Sequence, residues 1–484
     1  MKTLRRLLQT AALAAALAGP AAAAAVAEPQ VNWFSMVTDA GVPVGYASVE
    51  FRDLPGGRER IEYQETTLRE QNERATRISQ RTVVREDARG NIVSLVSEIR
   101  VGTSRVKVEA RLVEGGIEVS RQTPAGLTVQ RVATGPEVRF DGGEGLFAGW
   151  DPEKTPKLEF ASFNLDAMAV ERVVVAADPA RDAHGKLGVL RTAYQDGELR
   201  GVSRMTIGRD GQVVSITQPM FGTSITVLPA DKATAMQPRP PYRVMTSLMS
   251  KSPFRISASA AEGHIRYRFG FKDRLAFAMP QTGEQRVTVT PTGVQVDICE
   301  ACGPGLTSDP KALKAATRPT AWMQSDDPRI KAIVADVVGM KVSDARKMEI
   351  LTRTARPYLG EIDFSGHFSA LEILKRRRGD CTEAAVLLAT LGRAAGIPTK
   401  VASGYVYSRE RYHGVSNVFM PHSWVLAYVD GKWVSYDAAL PAVTSTHIAV
   451  TVGDGDPRAI GAAGQLASLL TWESMAEVKR RPAA

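Results

Sequence analysis

The stretch Gly379-Asp380-Cys381-Thr382-Glu383-Ala384-Ala385 decides how the C-terminal third of this chain is read, because it opens a helix and puts a cysteine at its mouth. Asp380 is an N-cap residue and Glu383 stands three positions on, the spacing of a capping box. Ala385, Leu388, Leu391 and Ala395 then recur at helical spacing, Gly396 stops the helix and Pro398 lies beyond it. A helix N-terminus carries partial positive charge and unpaired N–H groups, which favour a thiolate and offer donors to a developing oxyanion. A lone cysteine is equally a small buried hydrophobe, so position alone does not decide. The run Lys375-Arg376-Arg377-Arg378 just upstream reads as a solvated helix end.

A second stretch supplies the partners such a thiol needs. From His422 the chain reads His-Ser-Trp-Val-Leu-Ala-Tyr-Val, then Asp430-Gly431, then Lys-Trp-Val-Ser-Tyr-Asp, a hairpin with a two-residue turn. If Val429 pairs with Lys432, paired positions sum to 861, so His422 faces Ala439 and Trp424 faces Asp437. Asp437 is then diagonal to His422 on the same face, roughly 7 to 8 Å away along the sheet, within reach of two side chains that lean together. Each residue alone reads as an ordinary strand residue. With Cys381 they form the set that nucleophilic cysteine catalysis requires: nucleophile, base and orienter.

Upstream, Asp327 as N-cap, Pro328, and Ile330, Ile333, Val334 and Val337 on one face predict a helix. A second helix is expected from Ser343 to before Pro357, and a third from Ser369, whose spacing to Glu372 fits a capping box. Three strands, around Phe254 to Ala258, His264 to Phe269 and Val294 to Ile298, are expected to form a small β module. From Val31 to Val227 the pattern is period two: Val106, Val108, Ala110 and Leu112 alternate with Arg105, Lys107, Glu109 and Arg111. Turn pairs such as Gly115-Gly116, Asp196-Gly197 and Asp210-Gly211 punctuate it as an antiparallel meander. Prolines 229, 238, 240 and 241 mark a linker.

The organisation expected is therefore multidomain: a leader over 1–27, a large antiparallel β domain over 28–228, a linker over 229–249, a small β module over 250–305, an α+β catalytic domain over 306–450, and a C-terminal tail with a short helix over 451–484. The leader reading rests on Lys2, Arg5 and Arg6 before the apolar run Ala11 to Leu17, with small residues Ala25-Val26-Ala27 at a cleavage site. It places the mature chain in the periplasm or outside the cell, with no transmembrane span. Without Lys2, Arg5 and Arg6, the 61 basic residues fall to 58 against 52 acidic ones, a net charge of +6. That excess is mild and has no aromatic-interleaved basic stripe beside it, which argues against nucleic-acid binding and leaves a cell-envelope polymer as a candidate partner. Of three cysteines, Cys299 and Cys302 form a close pair, read as a disulfide in an oxidising compartment, which singles out Cys381.

Gly379-Asp380-Cys381-Thr382-Glu383, Arg393-Ala394-Ala395-Gly396-Ile397-Pro398, His422-Ser-Trp and Trp433-Val-Ser-Tyr-Asp437 together resemble the transglutaminase-like superfamily, over about Lys311 to Leu440 and roughly a quarter of the chain. The resemblance implies an α+β, papain-related core with Cys381, His422 and Asp437 as catalytic triad. It implies a protein or peptide amide as substrate, whose acyl group passes to water or to an amine. No cofactor or metal is expected: animal relatives use calcium, but the sequence has no twelve-residue Ca loop with ligand spacing, and Gly453-Asp454-Gly455-Asp456 reads as a turn. A second oxyanion donor comes from elsewhere in related sites, and Trp322 is a candidate. His184, His264, His367, His413 and His447 have no motif behind them and read as structural or surface groups. Two rival readings stand beside the enzyme: a scaffold with a silent triad whose β domains hold a protein, lipid or wall partner, and a thiol-disulfide protein working through Cys299 and Cys302.

Overall fold

Alternation along the first half becomes one antiparallel sheet of fourteen strands. Strands β1 (Val31–Thr38) to β8 (Gly126–Ala133) lie side by side in chain order, as do β9 (Lys157–Asn164) to β14 (Thr223–Ala230). β14 pairs with β1, which leaves β8 and β9 as the outer strands. Gln130 Nε2 on β8 donates to Met168 O at the β9 end, 3.2 Å away, so the sheet curls until its outer strands approach each other. On β6 (Ser104–Val113), Val108 and Ala110 are buried and Leu112 is exposed. Asp196 and Gly197 join β11 (Leu187–Gln195) to β12 (Glu198–Ile207) with φ of 52° and 81°, the left-handed pair of a type I′ turn. One inward row is polar: Arg60, Glu62, Gln64 and Thr66 of β3 (Gly57–Arg69) are all buried. Burial pushes the Glu62 carboxyl up to about 7, against the pull of Arg60 2.9 Å away.

The computed structural model describes residues 31–479 other than 70–74, 89–91, 102–103, 125, 136–137, 139–146, 148–149, 166, 210, 212, 221–222, 244–247, 273–274, 361–366 and 411–414, so the leader expected over 1–27 lies outside the described residues. The chain divides into two compact units between Val244 and Met245. Within the expected linker, β14 runs on to Ala230 and a short helix α1 (Lys232–Ala235) follows, capped by Asp231.

The second unit holds two sheets. The smaller orders β17 (Gln285–Val289), β18 (Gly293–Ile298), β16 (Ile265–Phe271) and β23 (Leu470–Glu477). The larger orders β15 (Ser250–Lys251), β20 (Val418–Val429), β19 (Thr399–Ser408) and β22 (Ile448–Gly453), with β21 (Lys432–Tyr436) also on β20. Two expectations differ from this arrangement. The strand expected at Phe254 to Ala258 is instead a loop leading into helix α2 (Ala258–Glu262), because Ser257 caps the Ala260 N–H. The expected C-terminal tail with a short helix carries a twelve-residue helix, named α8 below, and then β23, whose backbone pairs with β16 and completes the small sheet.

Helices α3 (Pro310–Ala315), α4 (Pro328–Gly339), α5 (Asp344–Ala355), α6 (Ala370–Arg376), α7 (Cys381–Ala394) and α8 (Pro457–Ser468) complete this unit. The caps read from sequence explain their starts: Asp327 accepts from Arg329 N, Ser343 from Arg346 N, and Glu372 takes the Ser369 N–H at 2.9 Å. α7 is central. Residues 382–393 are all buried, so this helix needs neighbours on every side. It finds them in α4, α5 and α6 and in β19 and β20. Gly392 makes the strand contact close, since a Cβ there would lie 2.6 Å from Thr399 Cγ2. The helix ends with Ile397 N bonded to Gly392 O at 2.9 Å and Gly396 at φ 80°, a left-handed stop.

Candidate active site

Cys381 is the first residue of α7 and half-buried. Asp380 accepts from Thr382 N at 2.6 Å, and Glu383 Oε2 accepts from Asp380 N at 3.0 Å, so the turn that presents the thiol is held from both directions. Glu383 Oε1 also accepts from Phe368 N at 3.1 Å. Full burial and then Asp380 push the Glu383 carboxyl well above the usual carboxylate range.

His422 and Asp437 arrive on the hairpin β20–β21. Asp430 and Gly431 turn it with φ of 49° and 82°, and the ladder runs from Val429↔Lys432 to Val425↔Tyr436, the register expected from the two-residue turn. Pairing ends at Tyr436, so Asp437 is released from the strand and leans across. Its Oδ2 lies 2.6 Å from His422 Nε2, while Oδ1 accepts from Ala439 N at 2.7 Å and Leu440 N at 2.9 Å. Both side chains are buried. Burial alone would favour the neutral imidazole, but the Asp437 carboxylate and then Cys381 outweigh it, and His422 is pushed up to about 10. Burial would likewise raise Asp437, yet His422 and then His447 hold it well below the usual carboxylate range. His422 thus interacts with both Cys381 and Asp437, and the structure brings together all three residues singled out from sequence.

His447, read from sequence as structural or surface, belongs to this cluster. Its Nε2 lies 3.2 Å from the same Asp437 Oδ2, and its Nδ1 accepts from Thr444 N at 3.1 Å. Its ring packs edge-on against Trp424, with centroids 5.1 Å apart, and 5.5 Å from that of His422. The signal for it was not local. His447 precedes β22, which reaches β20 only through β19, and nothing in the sequence around residue 447 announces that order.

Elsewhere, His264 pairs with Asp297 at 2.8 Å, His367 Nε2 lies 2.8 Å from Gly455 O, and His413 lies outside the described residues. Trp322 is buried, its ring 4.7 Å from that of His367. Cys299 and Cys302 form a disulfide. A cleft of about 690 Å³ has Asp437, Tyr436, Thr444, Glu349 and Cys299 in its walls. In the Gly453 to Asp456 turn both carboxylates have structural partners: Asp454 pairs with Lys400 at 2.8 Å and with Arg393, and Asp456 caps α8. Among the described residues, the donor atoms of His422, Asp437 and His447 lie within 4.8 Å of one another, a spacing that could hold a metal ion. A cation there would displace the two Nε2–Oδ2 hydrogen bonds that already satisfy all three groups. Among the described residues no helix is long and apolar enough to cross a membrane.

Comparison with known proteins adds a family. An uncharacterised protein of Mycobacterium leprae (strain TN) is 34% identical over 89 residues, which is 18% of this chain and 32% of that protein, so the match spans about a third of that relative's length. Among solved structures, the β-barrel-like DUF1849 domain protein of Brucella abortus aligns over 42% of this chain and 96% of its own, with 15% identity and a TM-score of 0.34. A candidate cysteine protease of Cytophaga hutchinsonii aligns over 46% of this chain and 91% of its own, with 16% identity and a TM-score of 0.29. The family model for the transglutaminase-like superfamily matches residues 332–438, which include Cys381, His422 and Asp437. The chain therefore carries, over residues 332–438, a core domain of the transglutaminase-like superfamily.

Proposed function

We propose that this protein is an exported cysteine-dependent acyltransferase or hydrolase acting on protein or peptide amides. The observation that carries the reading is the buried His422, placed between the Asp437 carboxylate at 2.6 Å and the thiol of Cys381 at the mouth of α7. In this reading the Cys381 sulfur attacks the amide carbonyl carbon after giving its proton to His422, and the backbone N–H of Cys381 at the positive mouth of α7 faces the oxygen as it gains charge. The C–N bond then breaks, the leaving amine takes the proton from His422, and a thioester remains on Cys381. Water or a second amine, deprotonated by His422, resolves it. Asp437 holds the ring and balances its charge through both transfers.

Export is read from the leader sequence, and the fourteen-stranded sheet is assigned the recruitment or positioning of a macromolecular substrate, with an envelope polymer as a candidate partner. The test is intact-mass detection of a thioester on Cys381 during turnover of glutamine-containing and peptide amides, with and without an added primary amine, against Cys381→Ser. An adduct in native protein and none in the variant supports the enzyme, and its loss to water or to the amine separates hydrolysis from cross-linking. No adduct and no turnover with any amide favours the silent scaffold.

A further inference from the structure

We propose that His447 is a positioning residue of this site: it donates its Nε2 proton to the same Asp437 oxygen that receives His422, and so moderates the hold of that carboxylate on the catalytic imidazole. The inference rests on the reading of Cys381, His422 and Asp437 given above.

The tautomer follows from the backbone. Thr444 N donates to His447 Nδ1 at 3.1 Å, so the ring proton sits on Nε2 and points at Asp437 Oδ2, 3.2 Å away. Asp437 Oδ1 is already occupied by Ala439 N and Leu440 N, which leaves Oδ2 to be shared between two imidazoles. Two donors on one oxygen compete, and each holds it less tightly than it would alone. Among the described residues, the titratable groups facing the His447 ring are Asp437 and His422, with Cys381 beyond His422. Burial disfavours a charge on His447, so it acts as a neutral donor and adds no second cation beside His422.

The fold makes room for this contact. β22 is bulged opposite Ser403 and Gly404 of β19, which pair with Thr451 and Ala449, and a Cβ at Gly404 would lie 1.9 Å from Ile448 O. Gly404 also pairs with His422 on the other side of β19. The residue with no side chain is therefore the one that lets the strand beginning after His447 approach the strand that carries His422. A base bound too tightly to its carboxylate is a poor acid toward the leaving amine, and a second donor on Oδ2 brings His422 nearer the strength that proton return requires.

The experiment follows the proton on His422 directly through its Cε1 resonance in histidine-labelled full-length protein, assigned by its loss in His422→Ala. Native protein is compared with His447→Leu and with His447→Gln, whose amide N–H can stand where Nε2–H stands. The midpoint is expected to rise by about one pH unit in the Leu variant and to return to within a few tenths of native in the Gln variant. The midpoint of Cys381-dependent turnover follows it. If His447→Leu does not fold, His447→Asn, too short to reach Oδ2, takes its place. A native midpoint near the ordinary ~6.5 overturns the reading of the site itself, and this inference with it. A raised native midpoint that neither variant moves, or that both move equally, overturns the role of His447 alone.

Discussion

Replacing Asp437 with asparagine tests the electrostatics of the site through stability. The side chain keeps its shape, so Oδ1 can still accept from Ala439 N and Leu440 N. On the other side an amide N–H now meets the His422 nitrogen 2.6 Å away, and the negative charge that raised the imidazole is gone. Burial then acts on the ring with no carboxylate to offset it, and its pKa falls from about 10 to the ordinary value or below. That drop exceeds about three units, and each unit corresponds to about 1.4 kcal/mol. Because both charges also lose hydration on burial, the measured loss is expected to be smaller, about 2–4 kcal/mol. The sign is fixed by linkage. A histidine raised in the folded state contributes stability fully below its unfolded pKa of ~6.5 and loses it as pH rises through about 10. Asp437, held low, contributes above its unfolded value of ~3.9 and loses that stability on acidification. The gap between native and Asp437→Asn is therefore greatest from about pH 5 to 6.5 and narrows toward pH 10. Urea unfolding at pH 6 and at pH 10, followed by the fluorescence of Trp322, Trp424, Trp433 and Trp472, measures it. Equal gaps at the two pH values would mean that the pair is not ionic in the folded protein.

Gly404→Ala must open the 1.9 Å contact with Ile448 O to at least 3.0 Å, a shift of β22 by about 1.1 Å that takes His447 from 3.2 Å to beyond hydrogen-bond range of Asp437. It is expected to cost about 1–3 kcal/mol in thermal melting and to raise the His422 midpoint as His447→Leu does. Asp454→Asn keeps an acceptor oxygen but removes the negative charge opposite the fully buried Arg393 guanidinium, whose other partners, Arg318 O and Thr399 O, are neutral carbonyls. Because Asp454 is 40% exposed, the expected loss is about 1–3 kcal/mol, read as a fall in melting temperature of about 5 °C. Exhaustive alkylation in denaturant is expected to modify one of the three cysteines before reduction and all three after it, and modification of three without reduction would contradict the Cys299–Cys302 pair.

The site was legible in sequence to the extent that its geometry is local. α7 is bracketed by Asp380 and Gly396, and the cap and stop chemistry of those two residues fixes where Cys381 stands. A two-residue turn fixes a hairpin register, so His422 and Asp437 could be placed on one face by counting. His447 could not, because its contact depends on β22 reaching β20 through β19, an order that no window of neighbouring residues encodes. The same holds for β15 against β20 and β23 against β16, where the partners lie far apart along the chain. Phe254 to Ala258 misled for the opposite reason. Its alternation is real, but Ser257 offers the backbone a helix cap, and a local hydrogen bond prevails where no partner strand is at hand.

In the proposed reaction Cys381 is a nucleophile activated by His422. The most direct test of that activation is the rate of Cys381 alkylation by iodoacetamide as a function of pH, in native protein and in His422→Ala. Labelling is expected to be fast at about pH 6, where an unassisted thiol with a pKa of ~8.5 is almost wholly protonated, and to fall about a hundredfold when His422 is removed. Slow labelling that follows an ordinary thiol titration in both proteins would contradict it.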